Sequence, residues 1–158
     1  IFDCLVGSEM CIRDRLYDGR EDEVQIGRGI VHGDGKDVTI VACGVMVSRS
    51  LEAAELLRAD GIGATVVDMH TLKPLDTDLL DRLAASTGCM VTAEDHSIIG
   101  GLGGAVAEHL ISSRPVPLER VGVQDRFGES AQAEEMLEMM GLTAPDVAAA
   151  AHRAIGRK

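Results

Sequence analysis

The sequence predicts an α/β fold: a single three-layer domain in which a mostly parallel, mixed sheet of about five strands is flanked by helices. Three observations predict it. From residue 24 onward, short β-branched runs alternate with stretches of helical period. Each apolar run stops abruptly at Gly, Asp or Glu just ahead of the next helix. The connections carry helices but no linker and no repeat, which is the pattern of βαβ units with right-handed crossovers.

Each element follows from local chemistry. Residues 37–43 form a β-branched run ending at Gly44, a strand. Val47, Leu51, Ala54 and Leu57 then recur at spacings of 4, 3 and 3, one stripe of an amphipathic helix that Gly61 stops. Residues 64–68 are the next strand. Pro74 blocks early helix entry, and Asp76 or Thr77 caps a helix carrying Leu79, Leu80 and Leu83. Gly88 ends that helix, and residues 89–93 form a third strand. A helix over about 103–112 puts Val106 and Leu110 on one face. Pro115 and Pro117 mark a loop before a fourth strand at 118–123. Helices at about 133–140 and 144–155 close the chain; Thr143 with Asp146 resembles a capping box, and Pro145 suits a first turn.

Composition narrows the function. With 158 residues the chain fits one domain with a real core, and with 46% apolar but 2% aromatic residues that core is built from Val, Ile, Leu, Met and Ala. A net charge of −11 argues against nucleic acid, whose phosphates need Lys and Arg. No apolar run approaches the roughly 20 residues of a membrane helix, and no signal sequence opens the chain. No nucleic acid, no membrane and a cytoplasmic location are the expectations. Residues 1–15 show no periodicity continuing into the fold, and Val6-Gly7-Ser8-Glu9-Met10-Cys11-Ile12-Arg13-Asp14-Arg15 resembles a sequencing adaptor read as protein. That segment is expected to be non-native or disordered, with the domain at 16–158 and the true upstream sequence missing. Cys43 and Cys89 then remain, in apolar runs without Cys-x-x-Cys spacing, and are expected to be reduced core thiols.

The candidate site lies where strands end. In a parallel sheet the carboxyl ends share one edge. Gly44, Asp68 with His70, Glu94 with Asp95 and His96, and Gln124 with Asp125 should gather there. Carboxylates and imidazoles suit metal or acid–base chemistry, but acidic residues routinely terminate strands, and nothing in the sequence aims them at one point. Gly100-Gly101-Leu102-Gly103-Gly104, between a strand and a helix, could hold a phosphate on backbone N–H groups. It is not a P-loop, and Val106 stands where a dinucleotide fingerprint needs a third small residue. The favoured reading is tight turning and close packing.

These residues also carry a family resemblance. Residues 25–155 resemble the C-terminal domain of transketolase-type thiamine-diphosphate enzymes. The matching pieces are Gln25-Ile26-Gly27-Arg28, Lys36-Asp37-Val38-Thr39-Ile40, Leu51-Glu52-Ala53-Ala54, Thr71-Leu72-Lys73-Pro74-Leu75-Asp76, Glu94-Asp95-His96 through Gly104, Asp125-Arg126-Phe127-Gly128-Glu129-Ser130 and Gly141-Leu142-Thr143. The last part looks most like the C-terminal subunit of split prokaryotic transketolases, although Ala131 replaces that group's usual glycine. Deoxyxylulose-phosphate synthase and the beta subunit of 2-oxo acid dehydrogenases share the domain. The resemblance implies a transferase moving two-carbon ketol units between sugar phosphates. It implies that thiamine diphosphate and Mg²⁺ are bound by pyrimidine- and diphosphate-binding domains absent here, in a homodimer or heterotetramer. No residue of this chain is then catalytic, cofactor-binding or metal-ligating, and the fragment alone is inert.

Two other readings stand beside this one: an independent small-molecule-binding domain, and a pure interaction module. Glu94, Asp95, His96, Gly100, Gly101, Gly103, Asp68 and His70 are the candidates for an interface or substrate-channel edge. For Glu94 and His96 a hydrogen-bonded structural role is the equal alternative. His70 and Lys73 read first as structural; His32, His109 and His152, in a loop or on helices, are assigned nothing.

Overall fold

The computed structural model describes residues 24–127 and 131–158. The segment expected to be non-native or disordered, 1–15, lies outside them, as do Gly128-Glu129-Ser130 of the resemblance motif. In chain order the strands are β1 (Ile30–His32), β2 (Val38–Ala42), β3 (Ala64–Asp68), β4 (Met90–Ser97) and β5 (Leu118–Val123). The helices are α1 (Met46–Ala59), α2 (Thr77–Thr87), α3 (Leu102–Ser112), α4 (Ala133–Met140) and α5 (Ala144–Ile155).

The sheet runs β1-β3-β2-β4-β5. β2 pairs parallel with both β3 and β4, β4 pairs parallel with β5, and only β1 is antiparallel, on β3. All five residues of β2 are buried, as expected of a central strand covered on both faces. Alternation sorts its neighbours. Val38, Ile40 and Ala42 of β2, Val66 of β3 and Val91 and Ala93 of β4 belong to one core with Met46, Val47 and Leu57 of α1 and Val147, Ala150, Ala151 and Ala154 of α5. Val41, Val67 and Met90 belong to the other, with Leu79 and Leu80 of α2 and Leu102, Val106 and Leu110 of α3. That is the predicted three-layer architecture. Burying each such Leu contributes about 1.5–3 kcal/mol.

The helix boundaries follow their caps. Asp76 is the N-cap of α2, its side chain accepting from Leu79 N, and Gly88 closes the helix at φ 71°. Thr143 and Asp146 form the expected reciprocal box at the start of α5.

Three elements depart from the sequence reading. β1, where the sequence suggests a loop around His32, is a three-residue edge strand held by the register Ile30↔Asp68 to His32↔Val66. β4 does not stop at Ala93 but runs on through Glu94, Asp95 and His96 to Ser97. The pairing of Ala93 with Val121 is followed by that of Ser97 with Val123, so a bulge absorbs the extra residues. α3 begins one residue early, at Leu102, because Glu94 caps it from outside the helix.

Candidate site at the carboxyl edge of the sheet

In a doubly wound sheet, ligands enter where outgoing connections diverge to opposite faces. Here that point lies between β2, which leaves through α1 on one face, and β4, which leaves through α3 on the other. Glu94 lies at this point and is 2% exposed. Its Oε2 accepts from Leu102 N at 2.6 Å and its Oε1 from Gly103 N at 2.8 Å. These are the free amides of the α3 N-terminus, the groups that would receive a phosphate. The anion at the glycine loop is therefore supplied by the protein itself.

The glycines fit that arrangement. A β-carbon on Gly101 would lie 1.8 Å from Glu94 Oε2, and one on Gly103 would lie 2.9 Å from Thr92 Oγ1 and from Arg120 Cδ. Gly101 makes room for the carboxylate, and Gly103 lets α3 sit close on β4 and β5. Gly100 has φ 85° and open space around it; its role is the turn itself. A bound diphosphate would meet the Glu94 carboxylate and amides already in use, so these residues do not fit that group.

The other expected residues divide. Asp68 is 6% exposed at the end of β3. Asp95 and His96 are exposed, and His96 Nδ1 lies 2.9 Å from its neighbour's carbonyl, Ser97 O. His70 Nδ1 is 2.9 Å from Thr71 Oγ1, while its buried Nε2 has no hydrogen-bond partner among the described residues. The edge brings these groups into one neighbourhood but does not converge them. Among the described residues no group of three or more His, Cys, Asp or Glu is placed to hold a metal ion. Cys43 follows β2 beside them. Burial first, then the charges of Glu94, Asp68 and Asp95, push its thiol from 9.0 up to about 11.

Sequence reasoning missed the second role of Asp76. Besides capping α2, it accepts from Gly29 N at 3.0 Å, and Arg28 Nη1 lies 3.8 Å away. A β-carbon on Gly27 would meet Pro74 Cγ at 2.9 Å. The segments 27–29 and 74–76, distant in sequence, are thus clamped together at the β1–β3 corner of the edge. The signal available in the sequence was a charged residue between two glycines, Gly27-Arg28-Gly29, ahead of a β-branched pair.

Fold and site define an α/β domain whose glycine loop is closed by its own carboxylate. The family model described as "Transketolase, C-terminal domain" matches residues 27–147. The chain belongs to this transketolase C-terminal domain family. It is 48% identical over 141 residues to the 6-deoxy-6-sulfo-D-fructose transketolase subunit of Clostridium sp. (strain MSTE9), covering 89% of this chain and 44% of that protein. A 1-deoxy-D-xylulose-5-phosphate synthase of Chlorobium luteolum is 46% identical over 123 residues, 77% of this chain and 20% of that protein. Among solved structures, a split-gene transketolase titled an inactive beta4 tetramer superposes with TM-score 0.83 at 55% identity, over 85% of this chain and 44% of that one. The chain thus spans less than half the length of these relatives. It is the C-terminal part of a transketolase-type enzyme, and it is more identical to the transketolase subunit and the split-gene transketolase, at 48% and 55%, than to the synthase, at 46%. No described helix is long and apolar enough to cross a membrane.

Proposed function

We propose that this chain is the assembly-supporting part of a cytoplasmic transketolase that moves two-carbon ketol units between sugar phosphates. Thiamine diphosphate and Mg²⁺ are held by pyrimidine- and diphosphate-binding domains elsewhere in the same homodimer or heterotetramer. The observation that carries this reading is the pairing of the Glu94 carboxylate with Leu102 N and Gly103 N. The loop best suited to a phosphate is committed to holding α3 on the sheet. Buried and doubly bonded, that carboxylate positions backbone rather than exchanging protons with a substrate.

The test is an assay with thiamine diphosphate, Mg²⁺ and donor and acceptor sugar phosphates. The chain alone is expected to give no turnover. The chain completed by its upstream domains, with any partner subunit, is expected to transfer ketol units. Turnover by the 158-residue chain alone would refute the reading. Accumulation of deoxyxylulose phosphate by the completed enzyme would move it to the synthase branch.

A further inference from the structure

Every arginine among the described residues but two is paired with a carboxylate or bonded to a backbone carbonyl. The two exceptions are Arg82, within α2, and Arg114, two residues past the end of α3. Both line one cavity of about 340 Å³, together with Asp81, Ala85 and Ser113. The chain carries a net charge of −11, so carboxylates are plentiful, yet neither guanidinium is bonded to one. A cation just beyond α3 is favoured by the negative end of that helix, which accounts for Arg114. It does not account for Arg82, in the middle of α2. Two guanidinium groups lining one groove favour an anion between them, and their planar forks match the oxygens of a phosphate.

The floor of the groove is fixed. Asp81 Oδ1 accepts from Ser113 Oγ at 2.8 Å and lies 2.9 Å from His109 Nε2, which ties α2 to the end of α3. Ser113 first, then His109, with Arg114 a smaller influence, hold the Asp81 carboxyl below its ordinary value. Both bonds go to Oδ1, and Oδ2 has no hydrogen bond among the described residues. The groove therefore offers two cationic forks and one free acceptor. Its volume is in the range of small-molecule sites and exceeds what a bare phosphate fills. We propose that the groove between α2 and the end of α3 binds a phosphate monoester that carries hydroxyl groups. Arg82 and Arg114 take the phosphate, and Asp81 Oδ2 accepts from a hydroxyl. The site lies at the opposite end of α3 from the Glu94 cap, about 15 Å along the helix at 1.5 Å per residue.

Calorimetric titration and amide chemical shifts of the 158-residue chain test this with glycerol 3-phosphate, inorganic phosphate and glycerol. Glycerol 3-phosphate is expected to bind at one site with a Kd of about 1 mM or below, shifting the amides of Ala85 and Arg114. Inorganic phosphate, with no carbon-borne hydroxyl, should bind several-fold more weakly, and glycerol should not bind. Arg82→Gln with Arg114→Gln is expected to weaken glycerol 3-phosphate about tenfold or more. Arg58→Gln, on α1 and outside the groove, should leave the affinity unchanged. Asp81→Asn should weaken glycerol 3-phosphate without weakening inorganic phosphate. Absence of binding overturns the proposal, and so does equal weakening by Arg58→Gln, which would mark general attraction to positive charge. Equal affinity for the two phosphates overturns the ligand class. The unsubstituted chain decides if a variant is destabilised: shifts confined to residues outside 81–85 and 113–114 refute the site. The proposed function does not require this groove, so its failure leaves that reading standing.

Discussion

A β-carbon on Gly101 would stand 1.8 Å from Oε2 of Glu94, inside the carboxylate that caps α3. The backbone of Gly101, at φ −83° and ψ −146°, does not itself demand glycine; the neighbour does. Gly101→Ala must displace Glu94 or the helix start, and is expected to cost about 2–4 kcal/mol by overpacking and lost buried hydrogen bonds. Gly100→Ala has open space but φ 85°, and should cost only about 1–2 kcal/mol. Urea unfolding of the two variants checks the ranking. Equal costs would mean that Glu94 does not hold the loop.

Glu94→Ala leaves the amides of Leu102 and Gly103 buried without the acceptor they have now. A loss of about 2–4 kcal/mol is expected. Glu94→Gln keeps the shape and one acceptor oxygen but turns an NH₂ toward an N–H donor, so it should recover only part of that loss. A Gln variant as stable as the parent would show that the charge is not needed at the helix N-terminus.

Asp76 serves two backbone donors at once, Leu79 N at 3.2 Å and Gly29 N at 3.0 Å. Removing an N-cap alone costs about 0.5–2 kcal/mol. Asp76→Ala is therefore expected to cost about 2–3 kcal/mol, since the second donor is lost as well. Hydrogen exchange separates the two roles: Gly29 and Leu79 should both speed up. If Gly29 exchanges unchanged, the clamp at the chain's entry is held by Pro74 and not by Asp76.

The central architecture was legible because both of its periods are strong. β-Branched runs such as Val38-Thr39-Ile40-Val41 and the Val47–Leu57 stripe each point to one answer. β1 was not legible because Ile30-Val31-His32 is too short to show a period, and its pairing is fixed only by β3. The continuation of β4 was hidden for a different reason. Glu94-Asp95-His96 has the composition of a loop, and a buried glutamate in a strand makes sense only once two helix amides are seen to satisfy it. The partners lie eight and nine residues downstream, so a carboxylate shortly before a glycine-rich helix start is the cue that was available.

Glu119 ties the edge strand β5 to the chain's end. It accepts from Arg153 Nε at 3.1 Å and from Arg157 Nη1. Burial pushes its carboxyl up, but the two guanidinium bonds outweigh this and hold it below the usual carboxylate value. A depressed folded value means that the stabilisation is present above the unfolded value and is lost as pH falls through the folded one. For a partly exposed pair this amounts to about 0.5–1 kcal/mol. Glu119→Gln is expected to be less stable than the parent at pH 7, with the gap closing under acid. A gap that stays constant with pH would assign the loss to packing instead of charge.

Cys43 offers the last check on the edge, because its thiol reports the charges around it. With its pKa near 11 instead of 9.0, the thiolate at pH 8 is roughly a hundredfold scarcer than for an ordinary cysteine, and the thiolate is the reactive form. Iodoacetamide labelling, read by peptide mass to separate Cys43 from Cys4, Cys11 and Cys89, should be far slower at Cys43 in the folded chain than in urea. Glu94→Gln removes one of the three carboxylates acting on it, so Cys43 should label several-fold faster while Cys89, influenced by Lys158 and Asp37 instead, keeps its rate. A common acceleration of both thiols would indicate general loosening of the fold. Acceleration of Cys43 alone would place the Glu94 charge at the end of β2, where the glycine loop and the sheet edge meet.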